Sequence, residues 1–339
     1  MTMPNIASGI APATKTRRWR RLLVGTLCLA AVLLSASSQR EAWSQTRQIK
    51  IVVPLPPGGA GDSVARLLAE QVGRTRGPKV VIENRPGAGS VIGTEAVSRA
   101  APDGNTLLIN APYLLIAPQL RKLNYDPLTG LEPICYLVSS PGIIVVNSAS
   151  PYRTLADLLA DARAKPGALS LASVGPGTAQ QIGFETLKRA ANVDMTYVPY
   201  PGGAPAISAL LGGHVTSVFA EYAPLAEHLS AGTLRALATT SRTRIDSLPD
   251  LPTVAESGYK DYEVDFWWSL FAPAMTPKEV VAQLAGWFTA AMQAPEVKSK
   301  LVAQGFAPVG MCGPDFAALL RRQFDEYGRV IREANIKAE

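Results

Sequence analysis

The sequence predicts an α/β fold with two lobes, each a β-sheet flanked by helices, and a ligand cleft between them. Strand and helix signals alternate along the chain, which is typical of α/β proteins. The alternation runs in two successive blocks, and no low-complexity linker separates these blocks. The chain has 339 residues, which is room for two domains of ordinary size. Two lobes crossed by more than one chain segment account for these observations.

In the first block, short apolar runs alternate with segments whose apolar residues recur at helical spacing. The predicted strands are 49–53, 79–82, 106–109 and 142–146, and the predicted helices are 62–72, 91–100 and 154–164. Thr154 is a predicted N-cap, and Pro166-Gly167 is predicted to stop its helix. The βαβαβ order at the start of the block predicts a parallel sheet with helices on its faces.

The second block repeats this pattern. Its predicted strands are 168–172, 195–198, 215–219 and 234–238, and its predicted helices are 179–191 and about 204–211. From Pro277 onward the chain is predicted to be mostly helical, with amphipathic stretches at 280–292 and 315–333.

The first 44 residues are predicted to be a cleaved secretory signal peptide, with cleavage after Ser44. A basic segment at 15–21 precedes an apolar run of 13 residues at 22–34, and small residues follow. An uncleaved membrane anchor is disfavoured, because spanning a bilayer takes roughly 20 residues. Two arginine pairs in the basic segment permit twin-Arg export, but the Sec route is favoured because such clusters are also ordinary. We therefore expect a periplasmic protein.

The net charge of +6 comes mostly from this leader. Six of the 33 Lys and Arg residues lie in it, against one of the 27 Asp and Glu residues. The mature chain is therefore close to neutral. It shows no concentrated basic patch, so nucleic acid is not an expected partner.

The three cysteines are too few for a disulfide framework or a thiolate metal cluster. Cys28 lies in the leader, which leaves Cys135 and Cys312 in the mature chain. An oxidising compartment would allow these two to pair, but we expect two separate buried thiols. With two histidines and no HExxH motif, no metal site is expected. No P-loop or dinucleotide fingerprint is present in the sequence, so no cofactor is expected.

Three strand ends lead into small-residue loops and then into helices, at 54–62, 83–90 and 173–178. In open α/β sheets, ligands bind at the carboxyl ends of strands. Glycine there lets a ligand approach backbone N–H groups, and the following helix adds unpaired donors. The three loops together favour a carboxylate or phosphate held by backbone donors. The alternative is that their glycines and prolines simply make tight turns.

Catalytic residues are not predicted. Ser173 follows Leu-Ala and precedes Val-Gly, so it lacks the first glycine of a nucleophile elbow. His214 and His228 could in principle serve a triad, but both are expected to be ordinary surface residues. Trp267 and Trp268 could line a pocket, and packing against the core is the favoured interpretation.

Several short motifs together resemble those of a known protein family. They occur in order along nearly all of the mature chain. The motifs are 49–62, 83–89, 101–104, 198–200, 210–213, 234–238, 251–256 and 270–273. On these residues the chain resembles the Bug-type periplasmic substrate-binding proteins, the receptors of tripartite tricarboxylate transporters. The resemblance implies two α/β lobes that close on a small ligand, usually an organic carboxylate.

The resemblance also implies lobe boundaries and a ligand-binding set. Lobe 1 would comprise 45–145 and about 236–339, and lobe 2 about 146–235. The ligand-binding candidates are Pro57, Gly58, Gly59, Asp62, Asn84, Ser90, Ser173, Thr178, Gln181, Tyr200 and Glu221.

Three positions in the second lobe depart from the usual family pattern. A His is common where Gln181 stands, an Asp is common near Glu221, and a Lys is usual at Pro201. The fold is expected to tolerate these changes, which bear on the identity of the ligand.

The first loop, 57–62, is expected to hold the carboxylate through backbone N–H groups. It carries no cation, and its one acidic residue, Asp62, is predicted to be the N-cap of the following helix. Gly58 and Gly59 are expected to leave room for the ligand or to adopt a positive φ.

The sequence therefore predicts an exported, monomeric solute-binding protein and not an enzyme. It would capture a small organic carboxylate by hinge closure and deliver it to a membrane permease of the tripartite tricarboxylate type. Two alternatives stay open: an exported α/β hydrolase acting on a carboxylic ester, and a sensory binding module for a membrane kinase.

Overall fold

A computed structural model describes residues 48–75, 78–175 and 177–337. The predicted signal peptide lies outside these residues. The stretch Gln48–Glu339 forms one compact unit. Within the described residues, no helix is long and apolar enough to cross a membrane.

The described residues form ten strands, and every predicted strand overlaps one of them. The strands are β1 Gln48–Val53, β2 Lys79–Asn84, β3 Thr106–Asn110, β4 Leu131–Asn147, β5 Ser170–Val174, β6 Thr196–Tyr200, β7 Ser217–Glu221, β8 Leu234–Thr239, β9 Asp265–Pro273 and β10 Ala307–Cys312. The last two were not predicted, and β4 begins well before the predicted strand at 142–146.

Ten α-helices in the described residues join these strands, and every predicted helix overlaps one of them. The helices are α1 Ala60–Arg74, α2 Val91–Ser98, α3 Tyr113–Leu120, α4 Leu155–Ala164, α5 Ala179–Ala191, α6 Gly203–Leu211, α7 Ala226–Ser230, α8 Lys278–Gln293, α9 Pro295–Ala303 and α10 Pro314–Glu333. A 3₁₀ turn at Ala223–Leu225 precedes α7.

The strands are linked in the order β2-β1-β3-β9-β4-β7-β5-β6, with β8 and β10 each paired to β4. In the first half, β1 pairs in parallel with β2 and β3, which confirms the predicted parallel sheet. In the second half, β5 pairs in parallel with β6 and β7. Strand β9 lies antiparallel between β3 and β4.

Strand β4 has 17 residues and belongs to both halves of the sheet. As far as Pro141 it pairs with β9, and from Gly142 onward it pairs with β7. A Cβ atom on Gly142 would lie 2.5 Å from the side chains of Phe219 and Thr240. Glycine is therefore required where the strand passes from one half to the other.

The adjacent tryptophans of β9 pack into the core on both faces of the sheet, which confirms the prediction. Trp267 is fully buried and Trp268 is 4% exposed. Because successive side chains of a strand point to opposite faces, the two indoles enter different apolar clusters.

The expectation of two separate thiols is wrong, because Cys135 and Cys312 form a disulfide. The two residues face each other where β10 pairs antiparallel with β4, and their Cα atoms are 4.1 Å apart. They are 177 residues apart in the chain. Their pairing depends on the unpredicted strand β10, so no local signal could reveal it.

Candidate ligand-binding site

A cavity of about 610 Å³ opens where the carboxyl ends of β1, β5 and β7 come together. Its volume suits a small-molecule ligand. One wall comes from the first half of the sheet, through the loop at 58–60 and the chain at 303–306. The opposite wall comes from the second half, through the ends of β5 and β7 and the start of α6. A cavity of about 870 Å³ elsewhere in the chain shares no lining residue with this one.

The first predicted loop reaches the cavity through its backbone. Gly58 and Gly59 both line it and are both exposed, and the predicted Pro57 is their exposed neighbour. Gly58 has a φ of +84°, a conformation that favours glycine. Gly59 is extended, at φ −80° and ψ 175°. Only Gly58 therefore needs to be glycine for the backbone, and Gly59 is free of that constraint.

The prediction that Asp62 is the N-cap is wrong, because α1 begins at Ala60 and Gly59 is the N-cap. Asp62 is the third residue of the helix and is 4% exposed. Its Oδ2 accepts hydrogen bonds from the backbone N–H of Gly58 and from Arg66 Nε, each at 2.9 Å. The buried carboxylate of Asp62 therefore holds the loop against the first turn of the helix.

Asn84 connects this arrangement to the end of β2. Its Nδ2 donates to Asp62 Oδ1 at 3.0 Å, and its Oδ1 accepts from Arg66 Nη2 at 3.1 Å. Burial raises the pKa of the Asp62 carboxyl, but hydrogen bonds from Arg66, Gly58 and Asn84 outweigh burial and hold the pKa below its usual value. The ionised Asp62 carboxylate and the neutral Asn84 amide therefore form a hydrogen-bonded pair that supports the loop from beneath.

The predicted polar residues of the third loop are bonded within that loop. Ser173 Oγ lies 2.8 Å from the hydroxyl of Tyr197. Thr178 Oγ1 donates to two backbone carbonyls, and Gln181 Oε1 accepts from the backbone N–H of Gly177 at 2.8 Å. These side chains shape the loop, and none of the three lines the cavity.

Gln180, the second residue of α5, lines the cavity just after this loop and was not among the predicted site residues. It is 3% exposed, and its buried Oε1 has no hydrogen-bond partner in the described chain. The resemblance directed attention to Gln181, one position away. Neighbouring positions on a helix face about 100° apart, so the choice between them required the helix orientation.

Two further predicted residues lie away from this cavity. The backbone carbonyl of Tyr200 accepts from the N–H of Gly175 at 2.9 Å, and its ring packs on the apolar cluster of the second half. Gly203 and Ala204 line the cavity in that region instead. Ser90 is 1% exposed with a φ of +78°, and its Oγ has no partner in the described part of the chain.

Glu221, a ligand-binding candidate at the end of β7, lines the cavity. Its Oε2 accepts a hydrogen bond from Ser140 Oγ at 2.6 Å, from the middle of β4. Burial raises the pKa of this carboxyl, and the hydrogen bond from Ser140, which lowers the pKa, offsets only part of that rise. Among the described residues that line the cavity, Glu221 alone is charged. The other polar side chains there are neutral: Ser63, Gln180, Tyr222 and Gln304.

Comparison with known proteins identifies the family. A family model described as the tripartite tricarboxylate transporter family receptor, TctC, matches residues 64–336. The chain belongs to this family. A relative from Pseudomonas sp. strain P51, the UPF0065 protein in the tcbD-tcbE intergenic region, is 35% identical over 321 residues. That match covers 94% of this chain and 95% of the relative. The resemblance to Bug-type receptors is thereby confirmed.

Solved structures of TctC-like receptors share the fold. The periplasmic binding protein BugD is 34% identical with a TM-score of 0.72, over 86% of this chain and 99% of its own. The R. palustris protein Rpa4515, solved with adipate, is 31% identical with a TM-score of 0.75, over 86% of this chain and 98% of its own. MatC from Rhodopseudomonas palustris, solved with bound malate, is 29% identical with a TM-score of 0.69, over 85% of this chain and 99% of its own. The two-lobed α/β binding-protein architecture is confirmed.

As a TctC family receptor, the chain is a solute-binding protein and not an enzyme. The hydrolase alternative also lacks a triad around its proposed nucleophile. Ser173 Oγ bonds to Tyr197 and to the carbonyl of Val174, whereas His228 Nδ1 lies 3.3 Å from Thr233 Oγ1. No group of three or more metal-ligating side chains occurs in the part of the chain that the structure describes.

Proposed function

We propose that this receptor captures a small organic carboxylate in the 610 Å³ cavity and delivers it to a permease of the tripartite tricarboxylate type. The observation that supports this most is that backbone from the Gly58–Gly59 loop faces the second half of the sheet across one cavity. The named relatives solved with adipate and malate support a carboxylate ligand. The protein would act as an exported periplasmic monomer, released from its leader after Sec transport.

The two halves of the sheet are proposed to be the lobes that close on the ligand. β4 changes partners between Pro141 and Gly142, and β8 pairs with the second half. The proposed boundaries therefore lie close to residues 141 and 240, near the positions 146 and 235 expected from the resemblance. Closure would be a hinge motion, driven by a higher ligand affinity of the closed form.

A thermal-shift screen of mono-, di- and tricarboxylates, aromatic acids and amino acids tests the function. A ligand that binds only the folded protein raises its melting temperature by mass action. The ligand found should also reduce the radius of gyration in X-ray scattering, because the lobes close around it. If no carboxylate raises the melting temperature, the proposed function is wrong. If a carboxylate raises the melting temperature but does not reduce the radius of gyration, the proposed hinge closure is wrong.

Gly59→Val is expected to weaken binding of that carboxylate at least tenfold, or about 1.4 kcal/mol, without unfolding the protein. A Cβ atom at Gly59 would have only the Pro56 carbonyl oxygen within 4 Å, at 3.8 Å, so the protein itself has room for a side chain. The valine would instead occupy the space in which the ligand approaches the backbone.

Gly73→Val is the matched control for this variant. Gly73 lies on the same helix, α1, outside the cavity, and a Cβ atom there meets nothing within 4 Å. Calorimetry should give wild-type affinity for the control. Wild-type affinity in Gly59→Val, with a native circular dichroism spectrum, would remove this loop from the binding site.

A further inference from the structure

Two carboxyl groups flank β4 where it passes from one half of the sheet to the other. Glu221 of β7 lies opposite Gly142, and Asp265 of β9 lies opposite Pro141. The hydroxyl of Ser140 donates to Glu221 from the strand between them. Both acids are therefore held at the junction of the two proposed lobes, and Glu221 faces the cavity.

Neither acid has a positively charged partner in the described chain. Asp265 accepts hydrogen bonds from Ser139 Oγ, at 2.6 Å, and from the hydroxyl of Tyr136. These partners and Ser140 are neutral hydroxyls, and no lysine, arginine or histidine acts on either carboxyl group. A buried carboxylate without a counter-charge is costly, and hydrogen bonds from hydroxyls offset only part of that cost.

The pKa values reflect this missing counter-charge. Burial raises the pKa of Asp265 to about 6. Burial also raises the pKa of Glu221, and the charge of Asp265 adds to the effect while the Ser140 hydrogen bond opposes it. The other titratable groups at the site are Tyr113, whose pKa is raised by burial and by Glu221, Tyr222 of the cavity wall, and Tyr136 and Glu263, which act on Asp265. They supply no positive charge at neutral pH.

We infer that Glu221 binds a protonated amine of the ligand, so that the ligand is an amino acid rather than a simple carboxylic acid. This inference rests on the proposed function. The N–H of Gly58 already donates to Asp62, so the ligand carboxylate would meet the backbone at Gly59 and Ala60, which also line the cavity. Its ammonium group would supply the positive charge that the described cavity lining lacks. The unpartnered Oε1 of Gln180 provides a further acceptor on the same wall as Glu221.

Other carboxylates fit this site less well. A second ligand carboxylate near Glu221 would meet a like charge, with no lysine or arginine in the described cavity lining to offset it. A hydroxyl group could donate a hydrogen bond to Glu221 but would leave the charge uncompensated. Glu221 therefore acts as a specificity-determining residue, which favours ammonium over hydroxyl and hydroxyl over a second acid.

The pH dependence of binding has a definite sign. An ammonium group binds the ionised form of Glu221, so affinity for an amino acid should fall as pH drops through the raised pKa of this residue. A dicarboxylate that lacks an amine and places a carboxylate near Glu221 would show the opposite trend, because protonation of Glu221 removes the repulsion.

The experiment compares L-aspartate, L-malate and succinate, which carry an amine, a hydroxyl or a hydrogen on one carbon skeleton. A thermal-shift screen of the twenty amino acids and their amine-free analogues extends the comparison to other side chains. We expect an amino acid to bind at least tenfold tighter than its amine-free analogues, a difference of about 1.4 kcal/mol. Amine-free acids that bind as tightly would overturn the inference and leave the proposed function intact. A protein that no carboxylate stabilises would overturn both.

Glu221→Gln identifies the residue responsible. This isosteric variant should lose the preference for the amine through at least a tenfold drop in affinity for the amino acid. Glu227→Gln, at an exposed position of α7, is the matched control and should bind as wild type does. An amine preference that survives in Glu221→Gln would refute the assignment. The pH dependence of amino-acid affinity should also weaken in Glu221→Gln, which separates Glu221 from Asp265 as its source.

Discussion

Replacing Cys135 and Cys312 together with alanine is expected to lower the free energy of unfolding by about 2–5 kcal/mol. The disulfide closes a loop spanning 177 residues, and the chain-entropy relation for that length gives on the order of 5 kcal/mol. It also ties β10, and with it the start of α10, to the central strand β4. Denaturant titration of the oxidised wild type and the double variant measures the difference.

The reduced wild type is the control for this prediction. With the bond broken but both sulfur atoms kept, its unfolding midpoint should approach that of the double alanine variant. Two thiols that react with a labelling reagent after non-reducing unfolding of the exported protein would contradict the disulfide. An unchanged midpoint on reduction would contradict its role in stability.

Asp62→Ala is expected to lower the free energy of unfolding by about 2–3 kcal/mol, because it removes a buried acceptor that three donors share. The donors are the backbone N–H of Gly58, Arg66 Nε and Asn84 Nδ2. The loop that lines the cavity would lose its internal support, so ligand affinity should fall as well. Denaturant titration and calorimetry measure the two effects.

The control for this variant is Asp157→Ala, which removes an exposed carboxylate that accepts from the backbone N–H groups of Arg153 and Thr154. It should cost less stability and leave affinity unchanged. The pKa of Asp62 is lowered in the folded protein, so its contribution is present above about pH 4, the usual value in an unfolded chain. The contribution is lost as pH falls below that value. A cost that stays constant down to pH 2 would contradict this role.

The elements that could be predicted from the sequence are those with local causes. Helix α4 begins after Thr154, whose Oγ1 accepts from the backbone N–H of Asp157 at 3.1 Å, as its N-cap pattern indicates. The predicted span 179–191 of helix α5 matches the structure. The parallel pairing of β1 with β2 and β3 follows from the βαβαβ order, since crossover connections of this kind place strands in parallel.

The candidate binding site was only partly predictable. Its loops could be located because glycine-rich segments follow strand ends, and Gly58, Gly59 and Glu221 do line the cavity. Side-chain directions could not be assigned: Asp62 and Asn84 point beneath the loop, and Gln180 rather than Gln181 faces the cavity. These directions depend on how each helix packs, which several distant segments determine together.

By itself, the sequence determined eight of the ten described strands, seven of the ten described helices, the loops that follow several strands and the resemblance to a receptor family. Secondary-structure propensity, apolar spacing and helix capping each depend on a few neighbouring residues. A single chain segment is therefore enough to predict a helix or a strand. The tertiary structure alone decided the antiparallel insertion of β9 and the bond between Cys135 and Cys312. It alone also placed Glu221 and Asp265 on either side of β4, with no counter-charge among the residues that the structure describes. These contacts join residues far apart in the chain, and they exist only once the strands have paired.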